Sequence, residues 1–245
     1  MALIDLRLPY FASAAAFVVL TLLVLRFREP VRRRSEVGEW ARMGTLTSAF
    51  RKPVLLWLFA LSAFMYGFSH LPFVFGQPFI LQALDSLNLA ANAPLVSGAV
   101  TALMMLLSIL TSWLAPGLRA RLGLAGILLL AFGMQIGLVA GLALTGSALA
   151  IALLLLRMVP DSFSRPFILA RVQPELSDEV RATYLSIKSL AARILFAGSL
   201  FVASGAASDV GAMTHGQISA ILLSYAIAGI LAFALLAMAT RGRGI

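Results

Sequence analysis

Arg157, Asp161 and Arg165 follow one another at four-residue steps inside an otherwise apolar stretch. On a helix that spacing puts all three on one face. A charge in a lipid-like setting is costly unless paired or solvated, so each is a candidate for function. Asp161 has two readings: a protonatable residue that couples proton movement to transport, or the centre of a structural ion-pair ladder. Two arginines flanking one carboxylate oppose easy protonation. Lys188 and Arg193 lie further on, roughly 140° apart around a helix at about 100° per residue. Lys188 is within snorkelling reach of the interface. Arg193 lies deeper and is a candidate contact for an anionic substrate group or for a partner.

Tyr66, His70 and Gln77 form a second polar set, in a stretch interrupted by Pro72, Gly76 and Pro78. Pro160 and Pro166 interrupt the Arg157 stretch in the same way. Paired interruptions of this kind mark places where freed backbone groups and polar side chains meet a ligand. Tyr66 and Gln77 are therefore cavity candidates. His70 either titrates near neutral pH or is a packed, hydrogen-bonded histidine. With two histidines, no cysteine, and no HExxH or GxSxG pattern, neither a metal centre nor a serine triad assembles. No enzyme activity and no cofactor are expected.

The elements that must carry these residues follow from composition. The chain has 245 residues, 61% of them hydrophobic and only 12% charged, with a mean hydropathy of +0.97. A soluble domain carries about twice that charged fraction. Lipid is the implied solvent, and each crossing needs roughly 20 apolar residues. Seven runs qualify: 8–25, 53–83, 93–118, 122–144, 147–170, 182–207 and 216–240. The expectation is an all-α, polytopic membrane helix bundle of about seven transmembrane helices. It divides into a first helix (1–30), a basic linker (31–52) and a six-helix bundle (53–245).

Fourteen of the 19 basic residues fall in segments that share one side if the N-terminus lies outside. They cluster in 26–52, at Arg119 and Arg121, at Arg171 and Arg181, and at Arg241 and Arg243. Only Arg7 lies on the other side, with Asp5, Asp85 and Asp209. The positive-inside rule then gives an outside N-terminus and a cytoplasmic C-terminus in the cell (inner) membrane. It also accounts for the net charge of +9 without nucleic acid. Val37, Trp40, Met43, Leu46 and Phe50 recur at three- and four-residue steps, so the linker reads as an amphipathic helix on the cytoplasmic leaflet or as a solvated tether. Gly133, Gly137 and Gly141 permit close helix approach, within the chain or at a dimer face.

The order of one helix, a basic linker and six further helices resembles the major facilitator superfamily from its sixth helix onward. Three local matches carry the resemblance. Phe27-Arg28-Glu29-Pro30 is similar to the end of that family's sixth helix, and Leu118-Arg119-Ala120-Arg121-Leu122-Gly123 to its second basic cytoplasmic loop. Arg165-Pro166-Phe167, Pro174 to Glu179 and Arg181-Ala182-Thr183 resemble the junction of its tenth and eleventh helices. Ala120 departs from the aspartate common in the basic loop. The resemblance implies a secondary transporter that moves a small molecule by alternating access, coupled to an ion gradient such as protons. Arg119, Arg121, Arg165 and Arg181 would serve its cytoplasmic gating loops. The second, third, fifth and sixth spans would line the cavity. The family's first five helices are not represented, so a truncated chain, a half that pairs with another half, or a homo-oligomer is expected. The rivals are a non-transporting membrane scaffold and a seven-helix receptor. Gly216–Thr240 has neither a lysine for a retinal Schiff base nor an Asn-Pro pair, which weakens the receptor.

Overall fold

The structure is a computed structural model, which describes residues 8–27, 39–85, 88, 92–145, 149–205 and 214–240. Among these residues the regular structure is helical throughout. The elements are α1 (Leu8–Leu25), α2 (Glu39–Arg51), α3 (Pro53–Asp85), α4 (Ala93–Leu144), α5 (Leu149–Leu155), α6 (Val159–Val172), α7 (Asp178–Ser204) and α8 (His215–Thr240). Single 3-10 turns, Leu156–Met158 and Gln173–Glu175, flank α6. Apart from α2, the helices fall on the apolar runs of the sequence, with two runs joined in α4 and one divided between α5 and α6. Four segments are long and apolar enough to cross a membrane: Pro53–Gly76, Pro94–Leu144, Val180–Ser204 and His215–Thr240. The chain is thus an all-α bundle of membrane helices.

Pro94–Leu144 is 51 residues long, roughly 75 Å at the helical rise and far more than one bilayer thickness. It reverses inside α4, where Gly123 has φ 71° and ψ 179°. That region is open to glycine and almost closed to other residues. The expected loop at 118–123 is therefore a one-residue break between two arms, with Arg119 and Arg121 still helical. The opposite correction applies to α3. It runs unbroken through Pro72, Gly76 and Pro78, so the expected interruption there is absent. The interruption before α6 is present, because Leu156–Met158 tightens to a 3-10 turn and Pro160 falls in the first turn of α6, where its missing N–H costs nothing.

The two arms of α4 form the centre, packed against α3, α5, α6 and α8. Leu55, Leu58, Leu61 and Leu71 of α3 are fully buried, as are Ile127, Leu128, Phe132, Val139 and Leu142 of α4. In lipid this interdigitation is held by packing more than by hydrophobic transfer. The closest approach is at Gly229 of α8, where an added Cβ would lie 2.5 Å from Phe68 Cζ and 2.9 Å from Ile136 Cγ1. The glycine stripe in α4 is also used within the chain. A Cβ on Gly133 would touch Phe233 at 3.5 Å and one on Gly141 would meet Leu153 at 3.0 Å, while Gly137 faces open space. By contrast, α1 is exposed from Tyr10 to Phe27.

One end of the bundle is clamped by polar contacts. Lys52 Nζ, just before α3, donates to Glu175 Oε2 at 3.0 Å and to the Glu175 carbonyl at 3.2 Å. Arg171 NH1 reaches Glu175 Oε1 at 2.5 Å. Two hydrogen bonds from buried rings hold the same end: Tyr184 OH to the Leu55 carbonyl (2.9 Å) and Trp57 Nε1 to the Leu236 carbonyl (3.0 Å). The linker helix α2 joins this end. Leu46 and Ala49 are buried, and the Phe50 ring lies 5.4 Å from Phe59 and 5.1 Å from Tyr184. Met43 stays exposed, while Val37 and the Trp40 side chain lie outside the described residues. The expected apolar stripe is thus turned in part onto α3 and α7, because its Leu46–Phe50 end abuts them.

Candidate functional site

A cavity of about 230 Å³ opens between α3, α6 and α7. α3 contributes Ser62, Tyr66 and Ser69; α6 contributes Asp161, Ser164 and Arg165; α7 contributes Lys188 and Ser189. On α3 and α6 these polar residues recur at three- or four-residue steps, so one face of each is hydrophilic; on α7 they are neighbours. Asp161 is the cavity's one carboxylate. Its side chain is 14% exposed and pairs with Arg165 NH2 at 3.2 Å. From behind, the Gln135 amide Nε2 approaches Asp161 Oδ1 at 3.4 Å. Gln135 is 3% exposed, and its Oε1 has no hydrogen-bond partner. Ser62 Oγ, on the opposite wall, is likewise buried without a partner. Such orphan polar atoms are rare in packed interiors and mark places where water or a ligand completes the set.

Only part of the expected Arg157–Asp161–Arg165 ladder forms. Arg165 makes its i,i+4 pair with Asp161. Arg157 instead places its guanidinium 5.2 Å from the centroid of the Phe73 ring. The cause is the 3-10 turn at Leu156–Met158, which takes Arg157 out of α-helical register with α6. The side chain faces a second cavity, of about 150 Å³, between α3, the first arm of α4 and that turn.

The remaining candidates are spread around these two spaces. Tyr66 lines the first cavity. His70 stacks on Tyr66 with centroids 4.1 Å apart and lies 5.6 Å from Phe196, and its Nδ1 is 2.8 Å from the Tyr66 carbonyl and 3.1 Å from Ser69 Oγ. The ring is thus packed and hydrogen-bonded. The side chain of Gln77 lies outside the described residues. Arg193 is exposed on α7 and does not line this cavity. Lys188 lines the cavity, half-buried.

Of the expected gating arginines, Arg165 lines the cavity with Asp161, and Arg119 and Arg181 lie nearer the clamped end. Arg119 lies 4.9 Å over the Phe167 ring, and Arg121 is exposed. Arg181 pairs with Asp178 at 2.8 Å and donates to the carbonyls of Gln173 (3.2 Å) and Leu176 (3.1 Å), bracing the turn between α6 and α7. Gln135 and the cavity serines went unnoticed in the sequence. Gln135 did leave a signal there, as the only polar side chain between Leu124 and Leu144. The serines did not, because serine is common in such helices.

No protein-family model matches the chain, and no curated protein sequence matches it.

Proposed function

We propose that this chain is the sixth-helix-onward portion of a secondary transporter of the major facilitator type, seven-spanning, which moves a small molecule by alternating access. The cavity between α3, α6 and α7 is its substrate pathway. The observation that carries this reading is Asp161, a carboxylate at the wall of a polar cavity within a bundle of membrane helices. It is held by one exposed arginine and backed by a buried glutamine. An ionisable residue in that setting defaults to a role in moving substrate or protons. Clustering of basic residues at the clamped end supports the orientation, with that end facing the cytoplasm.

The absence of cysteine makes a clean test available. Ser189→Cys in the first cavity and Thr101→Cys beside the second are each reacted with a membrane-impermeant maleimide in oriented vesicles. Under this reading Ser189→Cys labels from the side of the clamped end. An imposed proton gradient then shifts the two labelling rates in opposite directions. A Ser189→Cys that never labels from water, or rates that ignore the gradient, would overturn the reading.

A further inference from the structure

The second cavity is lined by Phe73 and Gly76 of α3, Ser97 and Thr101 of the first arm of α4, and Arg157. Its charge is one-sided. Arg157 is the only formal charge lining it, and no carboxylate among the described residues comes within 4 Å of that guanidinium. Asp161, four residues on, is already engaged by Arg165 and Gln135. The guanidinium carries five N–H donors in a planar fork, and the Phe73 ring face offers attraction to its charge but no lone pair for those donors. A half-buried cation in a membrane helix needs a counter-charge or water to be stable. Thr101 Oγ1 already donates to the Ser97 carbonyl at 2.9 Å, so the donor an anion meets here is the Arg157 fork. The volume, about 150 Å³, suits a carboxylate or phosphate group and little more.

We propose that this cavity is a binding site for an oxyanion, the carboxylate or phosphate group of a small molecule or of a lipid headgroup, with the Arg157 guanidinium as its bidentate counter-charge. Arg–oxyanion pairs of this kind are the strongest polar contacts available to a protein. The site is separate from the Asp161 cavity and does not depend on the chain being a transporter.

The test uses the purified full chain in neutral detergent, with thermal unfolding followed as inorganic phosphate is added at constant ionic strength. Phosphate also stabilises proteins non-specifically, so the quantity read is the difference between variants. The native chain should show a saturable rise in Tm. Arg157→Gln should weaken the apparent affinity roughly tenfold or more, the equivalent of about 1.4 kcal/mol. Arg193→Gln, which removes an exposed charge elsewhere, should keep the native response. Thr101→Phe leaves the arginine in place but fills the cavity from an exposed helix position, and it should abolish the response even if Arg157→Gln folds poorly. A second arm replaces phosphate with phosphatidylglycerol in the micelle. A response to the lipid alone, lost in Thr101→Phe, assigns the headgroup as the source. Equal responses to both probes in the native chain and in Thr101→Phe would overturn the proposal.

Discussion

Asp161 carries more of the argument than any other residue, and its surroundings separate its two roles. Arg165 is 68% exposed at its side chain, so losing the pair leaves a hydrated cation rather than a stranded one. Such pairs contribute about 1 kcal/mol or less. Asp161→Asn is nearly isosteric and can still meet the Gln135 amide. It should therefore keep the expression level and the Tm of the native chain. It should also remove the gradient-driven shift in labelling of Ser189→Cys. A variant that loses stability while keeping that shift would identify Asp161 as a structural ion-pair member. The residues around it were unequally legible. The four-residue spacing pointed to the Asp161–Arg165 pair. It could not foresee that a 3-10 turn would divert Arg157, because periodicity assumes an unbroken helix. That Lys188 faces the cavity and Arg193 does not was hidden for a related reason. Depth along a helix can be read from the chain, but which face turns inward depends on neighbours distant in sequence.

At the level of elements, the ends of the helices were legible and their joints were not. Hydropathy places α3, α7 and α8 to within a few residues, because an apolar run must be long enough to cross lipid. It treats every proline as a break, yet α3 passes through Pro72 and Pro78, since neighbouring helices can accommodate freed carbonyls. Two joints yield predictions. Gly123 has open space where a Cβ would go, so replacing it tests backbone strain alone. Gly123→Ala should cost about 1–3 kcal/mol, seen as a lower Tm in detergent. A neutral result would mean that the two arms of α4 join in another conformation. The second joint is the Lys52–Glu175–Arg171 cluster, which ties the start of α3 to the turn after α6. Hydrogen bonds from Lys52 and Arg171 hold the Glu175 carboxyl below its ordinary value of 4.5. A lowered folded-state pKa gives stability that is complete above about pH 4.5 and lost as pH falls through the lowered value. Exposed charges keep the effect small, about 1 kcal/mol for the cluster. As pH falls from about 4.5 through that lowered value, unfolding curves of the native chain should therefore approach those of Glu175→Gln. Curves that stay a constant distance apart would show that the carboxylate adds nothing.

For the whole molecule, the distribution of exposure and charge is the informative feature. Over half of the apolar window in α4 is buried, against 6% of the window in α7. Yet α7 carries Lys188 and Arg193 within its span, a poor composition for lipid contact. That the bundle is helical and membrane-embedded was fully legible, because composition alone excludes a conventional aqueous surface. That α7 would be the least buried span was not, because burial is a property of the assembled bundle. Charge at the two ends is equally uneven. Lys52, Arg119, Arg171 and Arg181 gather at or near the clamped end, where they meet Glu175, Phe167 and the turn after α6. The described residues at the other end include Asp85 and Asn88. Under the positive-inside rule the clamped end is expected to face the cytoplasm. Single cysteines replace Ala120 near the break in α4 and Asn88 after α3, and intact cells are treated with an impermeant maleimide. Asn88→Cys should label from outside, and Ala120→Cys only after the membrane is opened. The reverse pattern would place the basic end outside, and the proposed cytoplasmic face of the Asp161 cavity would have to be exchanged with it.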